Sequence, residues 1–188
     1  MKKTLTLVAV IALTAAIAIG GTLAWLTASS KEATNVFTVG NVAINLKETG
    51  VENGGEKKFK MVPGEDIAKD PIATVEANSE ACWLFVEVME SENLGTYIDY
   101  AIDTGTDLWT RLEDNIYYRA VPASTAAQSF KILTGNNTYE NGFVSVKSTV
   151  TQEDMNALQI KDAVQPTLTF KAYAIQQSGM ETAALAWG

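Results

Sequence analysis

Histidine is absent from the 188 residues. With it go the Ser-His-Asp triad, any histidine general base and every histidine-ligated zinc site. Cysteine occurs once, at position 82, so no internal disulfide can form. It opens an apolar run, Cys82–Val88, and reads as a small buried hydrophobe rather than a reactive thiol. Basic residues are in the minority, 14 Lys+Arg against 22 Asp+Glu, giving a net charge of −8. Such a surface repels nucleic acid and anionic lipid, so neither is an expected partner. Solubility is the plain explanation of the acidity, with cation binding as the alternative. Also missing are an HExxH pair, a phosphate loop and a G-x-S-x-G elbow.

The carboxylates that remain do not assemble into an obvious site. Glu65/Asp66, Asp99/Asp103 and Glu113/Asp114 are pairs that an acidic surface with Asp-rich turns supplies by chance. Asp103-x-Gly105-x-Asp107 has the look of a calcium loop, but it lacks the twelve-residue ligand pattern and the closing bidentate Glu. It reads as an ordinary loop. No catalytic residue, metal ligand or cofactor is therefore assigned, and the chain is expected not to be an enzyme. Asn136-Asn137-Thr138 fits a glycosylation sequon.

The length suits one domain with a hydrophobic core of its own. The first 24 residues have the layout of a secretory signal. Lys2 and Lys3 form a positive start, Thr4–Ile19 is uncharged and apolar, and Gly20-Gly21 breaks the run. Thr22 and Ala24 then occupy the −3 and −1 positions of a small-residue cleavage site, which leaves Trp25 as the new N-terminus. A retained anchor is the alternative, but the apolar run of about 16 residues is short of the roughly 20 that span a bilayer. Removing residues 1–24 takes two lysines with it, so the mature charge is about −10.

Beyond the signal, strand patterns recur with turn residues between them. They fall at Phe37–Leu46, Lys57–Val62, Ile67–Ala77, Cys82–Met89, Tyr97–Ile102, Trp109–Leu112, Ile116–Val121, Ser129–Leu133, Phe143–Val150 and Thr167–Ile175. Glu52–Gly55 and Gly135–Asn137 are turns. Pro71 places a bulge or an edge position inside its strand. In Cys82–Met89, Cys82, Leu84, Val86 and Val88 share one face, with Trp83, Phe85 and Met89 on the other. A strand apolar on both faces is central in its sheet or covered on its second side. In Thr167–Ile175, Leu168, Phe170, Ala172 and Ala174 point inward. Two short helices are expected, Gln152–Gln159 with Thr151 as N-cap and Asp154 completing the box, and Gly179–Trp187. Neither is long enough to cover a sheet. The fold class is all-β, a two-layer antiparallel sandwich with one or two short helices.

Trp25, Trp83, Trp109, Tyr117 and Tyr118 are many large rings for a small domain. Most belong in a core or in cross-strand pairs. Trp83 and Trp109 are the candidates for a ligand-binding groove.

Three segments, in order, resemble one family. GGTLAWLTA (Gly20–Ala28) followed by NVFTVGNVAINL (Asn35–Leu46) looks like the signal and first strand of the TasA/camelysin (CalY) proteins. These are Gram-positive biofilm-matrix proteins cut by a SipW-type signal peptidase. MVPGEDIAKDPIATVEANSEACWLFVEV (Met61–Val88) is similar to that family's Pro-Gly turn and following strands, and LTFKAYAIQ (Leu168–Gln176) to its closing strand. Where family members often carry Phe or Tyr and then Asp beyond the cut, this chain has Leu26 and Ala28. The resemblance implies a jelly-roll-like sandwich that is secreted to the extracellular matrix or cell surface. It also implies fibres in which the N-terminal segment of one copy completes its neighbour's sheet, a head-to-tail contact that does not close. The implied partners are copies of the chain, the SipW-type peptidase and a related minor matrix or anchor protein. The metalloprotease activity proposed for camelysin finds no support here, because the usual zinc form needs histidine.

On that reading the chain divides into a signal (1–24), an N-terminal arm (25–36) and a sandwich domain (37–188). The arm has apolar anchors at Trp25 and Leu26 and a polar middle, and runs into the first strand at Val36 and Phe37. It is either a donor strand or a disordered N-terminus. Two classes of function follow. One is a fibre-forming structural protein. The other is a monomeric secreted adhesin or ligand-binding module.

Overall fold

The computed structural model describes residues 41–50 and 57–188. The signal segment with Thr22 and Ala24, the arm with Trp25, Leu26 and Val36, the start of the first strand at Phe37 and the Glu52–Gly55 turn lie outside the described residues.

The domain is an antiparallel β-sandwich. One layer is a four-stranded sheet in the order β10 (Leu168–Gln176), β4 (Cys82–Glu90), β7 (Ile116–Val121), β6 (Thr110–Arg111). The other layer holds two three-stranded sheets. The first is β1 (Ile44–Lys47), β3 (Ile72–Val75), β8 (Gln128–Lys131), and the second is β2 (Asp66–Ala68), β9 (Phe143–Val146), β5 (Ile98–Tyr100). Every named pairing is antiparallel. The main core lies between the layers. Cys82, Leu84, Val86 and Val88 of β4 meet Ala73, Val75, Val144 and Val146 there. Each large side chain of this kind contributes about 1.5–3 kcal/mol on burial. Leu168, Phe170, Ala172 and Ala174 of β10 face the same core, as their alternation predicts.

β4 is both central and covered on its second side. Its outer face, carrying Phe85 and Trp83, is closed with Ile116 beneath a C-terminal helix. That helix corrects the expectation that no helix here could cover a sheet. It spans only Ala183–Trp187, but Ala183 and Ala186 are small enough to sit directly on Phe85 and Ile116. Trp187 extends the cover, with ring centroids 5.0 Å from Phe85 and 5.5 Å from Tyr173. One aromatic side chain does what an extra helical turn would otherwise do.

The helices number three among the described residues, not one or two. α1 (Leu94–Tyr97) was not expected, α2 is Gln152–Ala157 and α3 is the C-terminal cover. In α2 the predicted capping box forms. The Asp154 amide donates to Thr151 Oγ1 at 3.2 Å, and the Thr151 amide donates to Asp154 Oδ2 at 2.8 Å.

Two strand expectations differ from the fold. Ile67–Ala77 is not one strand with a bulge at Pro71. It is β2 and β3, and the chain passes from one sheet to the other at Lys69-Asp70-Pro71. Pro71 has no N–H for a ladder, while its carbonyl accepts from the Ile132 amide at 3.0 Å. The crossing is tight at Gly142. Its amide oxygen accepts from the Lys69 N–H at 3.2 Å, and a Cβ there would lie 2.6 Å from the Lys69 carbonyl at a φ of +131°. Lys57–Val62 alternates between half-buried and exposed as a strand does, yet has no ladder partner among the described residues. Instead it forms one wall of a cleft.

A lysine-rimmed cleft and an open strand edge

The cleft has a volume of about 380 Å³ and lies between Lys57–Met61 on one side and Gln165–Leu168 on the other. Its floor is apolar, built from Met61, Ile67, Leu94, Ile98, Val144 and Leu168. α1 supplies Leu94, and β2, β5 and β9 supply Ile67, Ile98 and Val144. Its charged groups are cationic, with Lys57, Lys58 and Lys69 lining the space and no Asp or Glu among the described lining residues.

The three ammonium groups differ. Lys69 is 9 % exposed and paired with Glu48 Oε2 at 2.8 Å, so its charge is neutralised. It also lies 5.5 Å from the Phe170 ring centroid. Lys57 donates to the Thr49 carbonyl at 2.6 Å and stands 4.9 Å over the Phe59 ring. Neither contact cancels its charge. Lys58 is exposed. Two neutral donors of the opposite wall are already engaged. The Gln165 side-chain amide donates to the Leu158 carbonyl at 2.8 Å, and the Thr167 amide donates to Ser91 Oγ at 2.9 Å.

The tryptophans named as ligand-binding candidates do not line this cleft. Trp109 is corrected outright. It is 1 % exposed, and its indole N–H donates to the Lys131 carbonyl at 2.7 Å. Its ring is core, held at the end of the sandwich next to Arg119. Trp83 is half-buried on the far face of β4, edge-on to Tyr118 at 5.9 Å, with its indole N–H on the Met180 carbonyl at 2.9 Å. Sequence reasoning missed the cleft because Lys57–Val62 reads as a short strand and Lys69 falls in the next one. The signal that could have found it is the run Lys57, Lys58, Lys60 in an otherwise acidic chain.

The carboxylate pairs are taken up singly by neighbours. Asp66 accepts from Ser145 Oγ at 2.6 Å, Asp99 pairs with Lys147 at 3.3 Å, and Asp114 with Arg111 at 2.7 Å. In the Asp103–Asp107 loop, Asp103 is buried and faces the Lys131 ammonium at 3.5 Å, which a bound cation would have to displace. Among the described residues no cluster of three or more carboxylates and thiols is placed to hold a metal. Asn136 of the sequon is folded into its own turn. Its side-chain oxygen accepts from the Thr138 and Tyr139 amides, and its nitrogen donates to Asp66 at 3.2 Å.

Three groups titrate away from their ordinary values inside the sandwich. Burial pushes the Cys82 thiol up. Burial, with Glu90 accepting its hydroxyl hydrogen bond, pushes the Tyr100 phenol up. Burial lowers Arg119, against the opposing charges of Asp107 and Asp103. None borders an open polar site, so these shifts describe packing rather than chemistry.

The second feature is an edge. β10 pairs residue for residue with β4 over nine positions, from Leu168↔Glu90 to Gln176↔Cys82. Its outer edge has no ladder partner among the described residues. β1, the first strand among the described residues, approaches β10. No protein-family model, curated protein or solved structure matches this chain.

Proposed function

We propose that this is an exported, non-catalytic structural protein of the extracellular matrix or cell surface, which assembles head-to-tail into fibres by strand addition. The arm Trp25–Val36 of one copy would pair with an open sheet edge of the next. The observation that carries the reading is the nine-residue outer edge of β10, unpaired among the described residues. A long unpaired edge is a template for another chain unless it is blunted or covered. The dimensions agree. Twelve residues of arm reach about 40 Å when extended, and nine residues of strand need about 30 Å. Cleavage by a SipW-type peptidase would free the arm, and a minor related protein would anchor or cap the fibre.

The test is electron microscopy of the chain beginning at Trp25, with N-terminal sequencing of the same sample. Filaments are expected, and deletion of Trp25–Glu32 should abolish them while leaving the far-ultraviolet dichroism unchanged. Normal polymerisation of the truncated chain would refute strand donation. The alternative, a monomeric adhesin or ligand-binding module, is favoured by the lysine-rimmed cleft. It requires a mass by light scattering that does not change with concentration.

A further inference from the structure

We infer that the cleft is a binding site for an anionic single-chain amphiphile, with a carboxylate head at Lys57 and Lys58 and a linear apolar chain laid over the floor. The inference is independent of fibre formation.

The first argument is local charge. The chain carries 22 acidic residues against 14 basic ones, yet among the described residues the cleft is lined by three lysines and no carboxylate. With Lys69 neutralised by Glu48, the positive charge that has no carboxylate partner among the described residues sits at Lys57 and Lys58, on the wall opposite Gln165–Leu168. The second is the kind of polar group on offer. Two amide donors of that wall, the Gln165 side chain and the Thr167 N–H, are bonded within the protein, so the charged donors on offer are the ammonium groups. This suits a ligand with one charged end and no other polar atoms. The third is size. A volume of about 380 Å³ lies in the range of small-molecule sites, roughly 300–1,000 Å³. At about 30 Å³ per water-sized group it holds about a dozen of them. The N-terminal arm is a poorer occupant, because its Lys31 and Glu32 cancel and leave nothing to match the lysines.

Calorimetric titration of the purified protein with dodecanoate, below its micelle concentration, tests this. Dodecanoate should bind at least tenfold more tightly than dodecanol or dodecyltrimethylammonium. From octanoate upward each added methylene should tighten binding about fourfold, with the gain ending near twelve carbons. Lys58→Glu should weaken dodecanoate about tenfold. Lys60→Glu, on the same segment but not lining the cleft, should change it less than twofold. Equal affinity for the three head groups, equal effects of the two charge reversals, or no saturable binding would each overturn the proposal. So would dodecanoate binding that emerges only after Glu52 and Glu56 are changed to Gln, which would assign the cleft to the chain's own acidic segment. Displacement of bound dodecanoate by a peptide of residues 25–36 would assign it to the arm instead.

Discussion

Arg119 should hold one end of the sandwich together through its flat guanidinium rather than through its charge alone. It stands on β7 opposite Leu84 in the ladder, and so on the core face of the sheet. Its guanidinium lies 3.7 Å from the Phe130 ring centroid and 5.6 Å from that of Trp109. It donates to the Asp107 carbonyl at 2.8 Å, while its buried Nε has no partner among the described residues. The two aromatic contacts contribute about 1–2 kcal/mol in this partly desolvated setting, and the charged hydrogen bond about 1.5 kcal/mol. The orphaned Nε costs about 1–2 kcal/mol. The net stabilisation is about 1 kcal/mol. Arg119→Met keeps the stem and removes all three effects, so it should lower stability by about 1 kcal/mol, or about 2–4 °C in Tm for a domain of this size. Arg119→Ala also strips the stem from two rings and should cost about 3 kcal/mol. Arg119→Lys keeps the charge but cannot lie flat, and should behave like the Met variant. Urea unfolding followed by tryptophan fluorescence measures all three, with Trp109 at the site. A Lys variant as stable as the parent refutes the planar stack. A Met variant more stable than the parent shows that the unpaired Nε outweighs both rings.

Removal of the helical cover should expose the second face of β4. Trp187→Ala is expected to cost about 2–3 kcal/mol, below the full-core value because the ring is half-buried. Ending the chain at Thr182 should raise binding of an anilinonaphthalene dye several-fold, and unchanged dye binding would mean the face is not covered this way. Acid sensitivity should pass through the α2 cap. Hydrogen bonds from the Thr151 side chain and backbone hold Asp154 below its ordinary value. Its contribution is thus present above about pH 4 and is lost as pH falls through the lowered value. Asp154→Asn should flatten the fall of the urea midpoint between about pH 5 and pH 2, and parallel curves would count against the cap.

The layer architecture was legible because β10 alternates with period two while β4 is apolar on both faces, which asks for cover on either side of the sheet. The covering of β4 was legible as a requirement, since Phe85 and Trp83 could not face water, but the identity of the cover was not. Five residues of Ala-rich sequence look too short until Trp187 is seen to lie across Phe85. The change of sheet at Pro71 was hidden for a related reason. A proline inside an apolar run marks a break in the ladder without saying whether the chain resumes in the same sheet. Of the candidate site, the sequence pointed to tryptophans, which are conspicuous because they are large, and large rings are what a core uses first. The lysines of Lys57–Lys60 gained meaning only when Ile67, Val144 and Leu168, distant in the chain, closed a floor beneath them.

The pairing of β4 with β10 also sets the order of events during synthesis. The partners in that ladder are separated by most of the domain, since Cys82 waits for Gln176. The lid on the other face waits for Ala183–Trp187. A growing chain therefore carries its most apolar strand, unladdered on one side and uncovered on one face, until Leu168–Trp187 emerge. Contacts so remote in sequence form slowly, on the millisecond-to-second scale of all-β domains. The native sandwich thus forms only once β10 and the Ala183–Trp187 helix are both available, and their addition commits the domain to its fold.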